Sequence, residues 1–278
     1  MKPAAFDYLA PSTLDEALQA LAAHGQDASV IAGGQSLMPM LAFRLLEPRW
    51  LIDLNRIEGL NHIRIEGQHL HIGALTRHAQ VEHSPLIAQH LPLLSLAMPH
   101  IAHVAIRQRG SIGGSVCLAD PAAELPACMV ALQARMVLQS LSGRREVAAD
   151  DFFKGLYQTA LAPGELLVDM AIPLPAAGTR VAFDEFSRRH GDYAMAGLAA
   201  CAHAQARSAR LVFLGCGDKP TRALHAEALL IARGPKPSYD TLRAAIDADL
   251  HPEADLQAQP DTKRHLATVL LQRAWDHL

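Results

Sequence analysis

Residues 30–36, VIAGGQS, end a β-branched run in two glycines, a glutamine and a small hydroxyl. Because glycine has no Cβ, the backbone N–H groups of such a turn stay open to a ligand, and a run of them forms a nest for an anion. The anion most often held by backbone N–H groups in this way is phosphate. An ordinary turn at the end of a strand uses the same residue types. Residues 31–36, the first glycine motif, therefore leave a structural turn and a phosphate site both open.

The same chemistry returns about eighty residues later, in residues 109–116, RGSIGGSV. Residues 111–115, the second glycine motif, again combine small hydroxyls, an apolar residue and paired glycines. Two such loops in neighbouring α/β units could approach one ligand from two sides. Their backbone N–H groups and the hydroxyls of Ser36, Ser111 and Ser115 would then share a pyrophosphate. The pair predicts a dinucleotide site, with two purely structural glycine turns as the alternative.

The dinucleotide fold of the Rossmann type does not fit this sequence. Its fingerprint is GxGxxG between a strand and a helix, with an acidic residue some 20 positions later. Neither glycine motif has this spacing, and the GxG of residues 213–220 (FLGCGDKP) continues with Asp218, Lys219 and Pro220. The phosphate loop GxxxxGK[ST] is absent from the sequence.

The composition indicates a globular protein. Of the 278 residues 50% are hydrophobic and 19% charged, and the net charge of −3 gives no bulk attraction to nucleic acid or to anionic membrane. The four cysteines are widely spaced, so they predict reduced thiols and no metal or iron–sulfur site on this chain. Since no apolar run approaches the roughly 18 residues of a membrane span, we expect a cytoplasmic protein without one.

The order of elements predicts three units along the chain. A capping box at Thr13 and Glu16 begins a helix that leads into the first glycine motif, and a hairpin is predicted around residues 66–68. A strand over residues 165–175 ends in two prolines, which mark a boundary. Beyond it we expect paired strands and then three helices, near residues 224–233, 238–248 and 262–278. The predicted units are residues 1–57, 58–175 and 176–278.

Nearly the whole chain resembles the FAD-binding medium subunit of molybdenum hydroxylases, the family of bacterial carbon monoxide dehydrogenase and xanthine dehydrogenase. The order and spacing of several stretches carry this resemblance, and the flanks of the second glycine motif make it specific. The stretches are AGGQSLMPMLAFRLLEPRWLIDLNRI, IAHVAIRQRGSIGGSVCLADPAAELP, ELLVDMAIPLP, FSRRHGDYAMAG and FLGCGDKPTRALHAEALL.

The resemblance implies an α+β protein with the FAD-binding fold of the vanillyl-alcohol-oxidase type. Residues 1–57 and 58–175 would form two α/β subdomains that bind FAD between them. Residues 176–278 would form a C-terminal α+β domain covering the flavin.

Carried over position by position, the resemblance also implies a set of cofactor-binding residues. Those at the pyrophosphate are Ile31, Ala32, Gly33, Gly34, Gln35, Ser36, Ser111, Ile112, Gly113, Gly114 and Ser115. Ile101 would contact the cofactor, Glu124 would accept hydrogen bonds from the ribityl hydroxyls, Leu166 would lie near the isoalloxazine and Tyr193 would cover the ring. Ser115 stands where Asn or Asp is usual and Glu124 where Asp is usual, and both keep hydrogen-bonding capacity.

The implied function is electron transfer within a complex. In this family, electrons from a molybdenum centre pass through [2Fe-2S] clusters of a partner subunit to FAD and on to an external acceptor. The implied partners are an iron–sulfur small subunit and a molybdopterin large subunit, as a dimer of heterotrimers, and this chain would need no catalytic residue and no metal ligand. A stand-alone FAD oxidase or reductase and a nucleotide-binding module without redox activity remain the alternatives.

Some single residues keep two interpretations. His100 and His103 have the helical spacing of metal ligands, but they lack a third ligand, which favours a surface or hydrogen-bonded role. Asp120 could contact the cofactor or start a helix. Arg107 and Arg109 could steer phosphate or lie on a solvated face.

Overall fold

The computed structural model describes residues 2–232 and 234–278. The N-terminal part forms a three-stranded parallel sheet in the order β1-β3-β2. Its elements are β1 (Asp7–Leu9), α1 (Leu14–His24), β2 (Ala28–Ile31), α2 (Leu37–Ala42) and β3 (Trp50–Asp53). The capping box predicted at Thr13 and Glu16 is confirmed. Since β2 and β3 run parallel, their carboxyl ends lie side by side, at Ile31 and Asp53.

A five-stranded antiparallel sheet follows, in the order β4-β5-β10-β6-β7. Its strands are β4 (Ile63–Glu66), β5 (His69–Gly73), β6 (Arg135–Ser140), β7 (Gly143–Ala148) and β10 (Leu166–Pro173). The predicted hairpin at residues 66–68 is confirmed, because Gly67 takes a positive φ of 59° between β4 and β5. The almost continuously apolar β10 is the last of these strands in sequence and the central one in the sheet, where both of its faces are buried.

Short helices connect β5 to β6 and cover one face of this sheet. They are α3 (His78–Glu82), α4 (Pro85–His90), α5 (Pro92–Ala97), α6 (Val104–Arg109), α7 (Ile112–Leu118) and α8 (Glu124–Ala131). Pro85 and Pro92 occupy first helical positions, where a missing N–H costs nothing. A helix α9 (Ala149–Phe152) and a small two-stranded sheet, β8 (Phe153–Gly155) and β9 (Gln158–Thr159), lead into β10.

The C-terminal part is a four-stranded antiparallel sheet backed by three helices. The strands run in the order β11 (Arg180–Phe186), β12 (Ala196–His203), β13 (Ser208–Leu214) and β14 (Thr221–Arg222). The helices are α10 (Leu224–Ala232), α11 (Tyr239–Asp249) and α12 (Pro260–Ala274). The predicted strand pair and the three predicted helices are confirmed, except that Arg233, the predicted end of the first helix, lies outside the described residues.

Successive side chains of β12 and β13 point to opposite faces of the C-terminal sheet, so the sheet packs on one face against its own helices and on the other against the central part of the chain. Leu198 and Phe213 point to the helices α10–α12, whereas Ala199 and Val212 belong to the core that β5, β10 and the short helices share. A third core joins α1 and β3 to the other face of the five-stranded sheet. The three units are thus packed together, and the domain boundaries at residues 57 and 175 stay predictions.

The mixture of helices and sheets agrees with the predicted α+β class. Across the described ranges, no helix is both long enough and apolar enough to cross a bilayer.

Candidate functional site

The first glycine motif is a turn at the carboxyl ends of the parallel strands β2 and β3. Gly34 has a positive φ of 73°, and the Gln35 side chain donates a hydrogen bond to the Gly33 carbonyl at 3.0 Å. Among the described residues, no acceptor is found for the backbone N–H groups of Gly33, Gly34, Gln35 and Ser36. Successive backbone N–H groups without a partner are the donors that form an anion nest.

The second glycine motif is the start of a helix, and its prediction as a loop was wrong. Ser111 is the N-cap of α7, and its hydroxyl accepts the N–H of Gly114 at 3.3 Å. The N–H groups of Ile112 and Gly113 donate to the carbonyls of Thr76 and Ala74, each at 2.9 Å. These backbone donors are already used, and the Ser111 hydroxyl belongs to a residue that is only 2% exposed. The half-buried Ser115 therefore carries the more accessible hydroxyl of the second motif, and neither serine lines the cleft described below.

The structure brings the two motifs into direct contact through Gly33. A Cβ placed on Gly33 would lie 2.5 Å from the Arg109 carbonyl oxygen, 2.8 Å from the Gly110 Cα and 3.0 Å from the backbone nitrogen of Ser111, where the second motif begins. A real side chain cannot occupy that space, so glycine at this position is what permits the close approach.

A cleft with a volume of about 420 Å³ opens at the first glycine motif. Its lining combines that motif with polar groups from the end of β3 and from α6. The residues are Ile31, Ala32, Gly33, Gly34, Gln35, Met38, Pro39, Asp53, Asn55, Ile106 and Arg109. Arg109, for which phosphate steering and a solvated face were the two interpretations, thus adds a cation to this cleft.

The sequence analysis did not identify Asn55 as a residue of this site. It follows β3, and its Nδ2 donates to the Ala32 carbonyl of the first glycine motif at 2.8 Å. A usable signal was present in the sequence, because polar residues directly after a buried strand lie at the sheet edge where ligands of α/β proteins bind. Asn55 stands at that place, just beyond the end of β3.

The remaining predicted site residues lie away from this cleft. Ile101 and Leu166 are buried in different cores, Glu124 is buried at the start of α8, and Tyr193 is 56% exposed. Partial burial of the Tyr193 phenol, and after it the charges of Asp120 and Glu124, raise the pKa of Tyr193. The structure therefore places these two together, in a second group around Asp120.

Asp120 makes local bonds in this second group. One carboxylate oxygen accepts the N–H of Ala122 at 2.9 Å, and the other accepts the Tyr157 hydroxyl at 3.2 Å. The first bond fixes the turn before α8. Asp120 does not itself begin that helix, because the N-cap of α8 is Ala123.

His100 pairs with a buried carboxylate from the C-terminal sheet. Its Nδ1 lies 3.5 Å from Glu185, whose side chain is 2% exposed. The hydrogen bond to Glu185 raises the pKa of His100. This agrees with the hydrogen-bonded role favoured for His100.

Glu124 makes the stability of the cofactor-free chain depend on pH. Burial, and after it the charge of Glu185, raises the pKa of Glu124 to about 8, whereas an unfolded glutamate titrates at about 4.3. Between these values the folded chain binds a proton that the unfolded chain lacks. The free energy of unfolding therefore falls as the pH rises from about 5 to about 8, by up to about 1.4 kcal/mol per pH unit.

Glu124→Gln should flatten this fall, because the amide carries no titrating proton. Urea denaturation of both FAD-free chains at several pH values measures it. His100 contributes a fall of the same sign to both chains, so the difference between the chains reports Glu124. Equal slopes in the two chains would contradict the protonated state assigned to Glu124.

Arg107 neither steers phosphate nor lies on a solvated face, so both interpretations offered for it were wrong. The side chain is buried, pairs with Glu82 at 2.8 Å and donates to the carbonyls of Ile101 and Ala102 at 3.0 and 3.1 Å. It fixes the turn at Ala102, which takes a positive φ of 46°.

Arg107→Ala should lower the free energy of unfolding by about 3 kcal/mol, because it leaves Glu82 and two carbonyls without their partner. Urea denaturation measures the loss. Arg135→Ala is the matched control, since its pair with Glu146 is solvent-exposed and contributes about 1 kcal/mol at most. Equal losses in the two variants would show that the buried pair contributes no more than a surface pair.

Two family models together match almost the whole chain. Residues 4–175 match the FAD binding domain in molybdopterin dehydrogenase, and residues 181–278 match the CO dehydrogenase flavoprotein C-terminal domain.

Individual proteins match over most of their length as well. The chain is 46% identical to the 6-hydroxypseudooxynicotine dehydrogenase complex subunit alpha of Paenarthrobacter nicotinovorans, covering 83% of this chain and 79% of the relative. It is 39% identical to the caffeine dehydrogenase subunit beta of Pseudomonas sp. strain CBB1, covering 99% and 95%. Among solved structures, a chain of carbon monoxide dehydrogenase from Hydrogenophaga pseudoflava superposes with a TM-score of 0.93 at 37% identity, covering 100% of this chain and 98% of that one.

Proposed function

Because the chain belongs to the FAD-binding medium subunits of molybdenum hydroxylases, we propose that the cleft at the first glycine motif receives the FAD pyrophosphate and that the chain relays electrons. The predicted α+β fold of the vanillyl-alcohol-oxidase type follows from the same likeness. The chain is thus the FAD subunit of an oxidoreductase complex.

The free donors of the first glycine motif carry this proposal. The N–H groups of residues 33–36 have no acceptor within the described part of the chain, and the same residues line or adjoin the cleft. A pyrophosphate supplies both the acceptors and the negative charge that such a nest binds. Arg109 adds a cation to the cleft lining, which offsets the charge of Asp53, and the Asp53 oxygens accept hydrogen bonds from Tyr8 and Asn55.

The two motifs have unequal roles in this proposal. The first supplies backbone donors, whereas the second supplies the hydroxyls of Ser111 and Ser115 across the contact at Gly33. Gln35 contributes through its backbone, since its side-chain amide is bonded to the Gly33 carbonyl. The pyrophosphate is therefore held mainly from the side of the first motif.

The other proposed contacts belong to the remainder of the cofactor. Glu124 would meet the ribityl hydroxyls, Ile101 and Leu166 would supply apolar contacts, and Tyr193 would cover the flavin ring. The exposed ring of Tyr193 beside Glu124 supports its role, because it leaves an aromatic face free for a partner.

When bound, FAD supplies the one-electron and two-electron redox chemistry, and the protein supplies position and electrostatics. The residues of this chain bind the cofactor and exclude water from it, so we assign no general base, nucleophile or metal ligand to them.

Related proteins are subunits of multi-subunit complexes. For this chain we propose an iron–sulfur subunit as electron donor and a molybdopterin subunit as the site of substrate oxidation, assembled as a dimer of heterotrimers in the cytoplasm. The substrate pocket would then lie on the molybdopterin subunit.

Flavin, iron and molybdenum analysis tests the proposal. The chain purified alone and the chain purified with its native partners are compared. One releasable FAD per chain in both samples, with iron and molybdenum only in the second, is the expected result. FAD in a native sample that contains no iron or molybdenum would contradict the relay and favour a stand-alone flavoenzyme. A chain without FAD in both samples would contradict FAD binding itself.

A further inference from the structure

We propose that Asn55 and Arg77 are positioning residues that hold the two glycine motifs at the separation the FAD pyrophosphate requires. This inference rests on the proposed function, since it assumes that the FAD pyrophosphate binds across the two motifs. We name the hydrogen-bonded pair of their side chains the Asn55–Arg77 clamp. The clamp joins the end of β3 to the segment before α3.

Asn55 is the end of the clamp at the first glycine motif. Its Nδ2 donates to the Ala32 carbonyl at 2.8 Å and to Asp53 Oδ1 at 2.6 Å, while its Oδ1 accepts from Arg77 at 2.6 Å. Both amide hydrogens are thus committed, although the residue lines the cleft. Asn55 therefore acts on a bound cofactor by fixing the motif rather than by donating to the cofactor.

Arg77 is the end of the clamp at the second glycine motif. Its second guanidinium nitrogen donates to the Arg109 carbonyl, and its backbone pairs with Ser111 in an isolated antiparallel bridge. The flanking bonds run from the His78 N–H to the Gly110 carbonyl and from the Ile112 N–H to the Thr76 carbonyl, each at 2.9 Å. Arg77 is therefore fixed to the second motif through both side chain and backbone.

The guanidinium of Arg77 is used for geometry rather than for charge. No carboxylate lies within salt-bridge distance of it among the residues the structure describes, and its two terminal nitrogens bond an amide oxygen and a carbonyl. Burial and the nearby charge of Arg109 lower its pKa. A planar fork that reaches two acceptors at once is the property that distinguishes arginine from lysine.

The Arg109 carbonyl shows why the clamp acts on the spacing of the motifs. The same oxygen that Arg77 holds is the atom 2.5 Å from the position a Gly33 Cβ would take. The contact at Gly33 sets how closely the motifs can approach, and the clamp keeps them from moving apart.

A double-mutant cycle on FAD affinity tests the clamp. FAD-free full-length chains carrying Asn55→Ala, Arg77→Ala or both are titrated with FAD, and flavin fluorescence reports binding. Each single variant should raise the Kd about tenfold, the usual cost of losing a hydrogen bond to a charged group. The double variant should be close to the weaker single variant, because both changes break the same connection. The proposal would be overturned if the fold-changes in Kd of the two single variants multiplied in the double variant. It would also be overturned if each single variant had a Kd within twofold of the wild type.

Controls separate positioning from charge and from stability. Asn61→Ala and Arg135→Ala remove the same residue types from exposed positions away from the motifs and should leave the Kd unchanged. Arg77→Lys keeps the charge but not the fork, so it should bind as weakly as Arg77→Ala. Wild-type affinity in Arg77→Lys would overturn the clamp in favour of a charge effect.

The phosphorus NMR signals of the bound cofactor give a readout that a merely structural role would not move. At saturating FAD, the pyrophosphate signals of Asn55→Ala and Arg77→Ala should be shifted from those of the wild type. Unshifted signals together with a lowered thermal midpoint would show that the two residues contribute only to the stability of the fold, and would overturn the proposal. Failure of the wild-type chain to bind FAD would instead contradict the proposed function, so the two failures are distinguishable.

Discussion

Replacing Gly33 by valine should remove FAD from the purified chain while most of the fold persists. The new Cβ would lie 2.5 Å from the Arg109 carbonyl oxygen and 2.8 Å from the Gly110 Cα, so the two glycine motifs must separate. Overpacking against backbone costs up to about 3 kcal/mol, which corresponds to about a hundredfold loss of affinity if it falls on the bound state. The ratio of flavin to protein absorbance and a titration of the FAD-free variant measure the loss.

The control for this substitution is Gly234→Val. A Cβ there meets no atom within 4 Å, so the variant should retain one FAD per chain. Gly33→Val with wild-type flavin content would show that the contact between the motifs is not needed for the cofactor, and the account of the site would be wrong.

Replacing Gly113 by valine should have a different effect, the loss of a stable fold. The Cβ would lie 2.5 Å from the Ala74 carbonyl oxygen and 2.7 Å from the Ala74 Cβ, while the Gly113 N–H is bonded to that same carbonyl. Ala74 in turn donates to Val168 of the central strand β10 at 3.0 Å. We expect a destabilisation of about 3 kcal/mol or more, measured by urea denaturation and by soluble yield.

The two valine substitutions should therefore act through different contacts, one on cofactor binding and the other on the stability of the fold. The sequence suggests that both lie close to phosphate, and that either valine variant would lose flavin for this reason. In the structure Gly33 faces the other motif, whereas Gly113 faces the strand beneath its own helix. A Gly113→Val chain with the wild-type urea midpoint would contradict this packing cause.

The features that could be predicted are those that depend on residues close to one another in the sequence. The capping box at Thr13, the hairpin at residues 66–68 and the paired strands β12 and β13 were predicted from local signals, and the structure contains them. The first glycine motif was found for the same reason, because a β-branched run followed by glycines forms a turn whatever surrounds it.

The features that the sequence analysis did not predict depend on contacts between residues far apart in the sequence. Glycines disfavour a helix, so the second motif was predicted as a loop, but the bonds of Ile112 and Gly113 to residues 74–76 and the cap at Ser111 fix a helical turn. The burial of Arg107 depends on Glu82, 25 residues away. The Asn55–Arg77 clamp likewise joins residues 22 apart whose proximity follows from the packing of two sheets.

A crystal structure of the FAD-loaded chain would show directly where the pyrophosphate binds. We expect the pyrophosphate within hydrogen-bond distance of the N–H groups of residues 33–36 and of a hydroxyl of Ser111 or Ser115. A pyrophosphate bound elsewhere, or held without any N–H group of the first glycine motif, would contradict it.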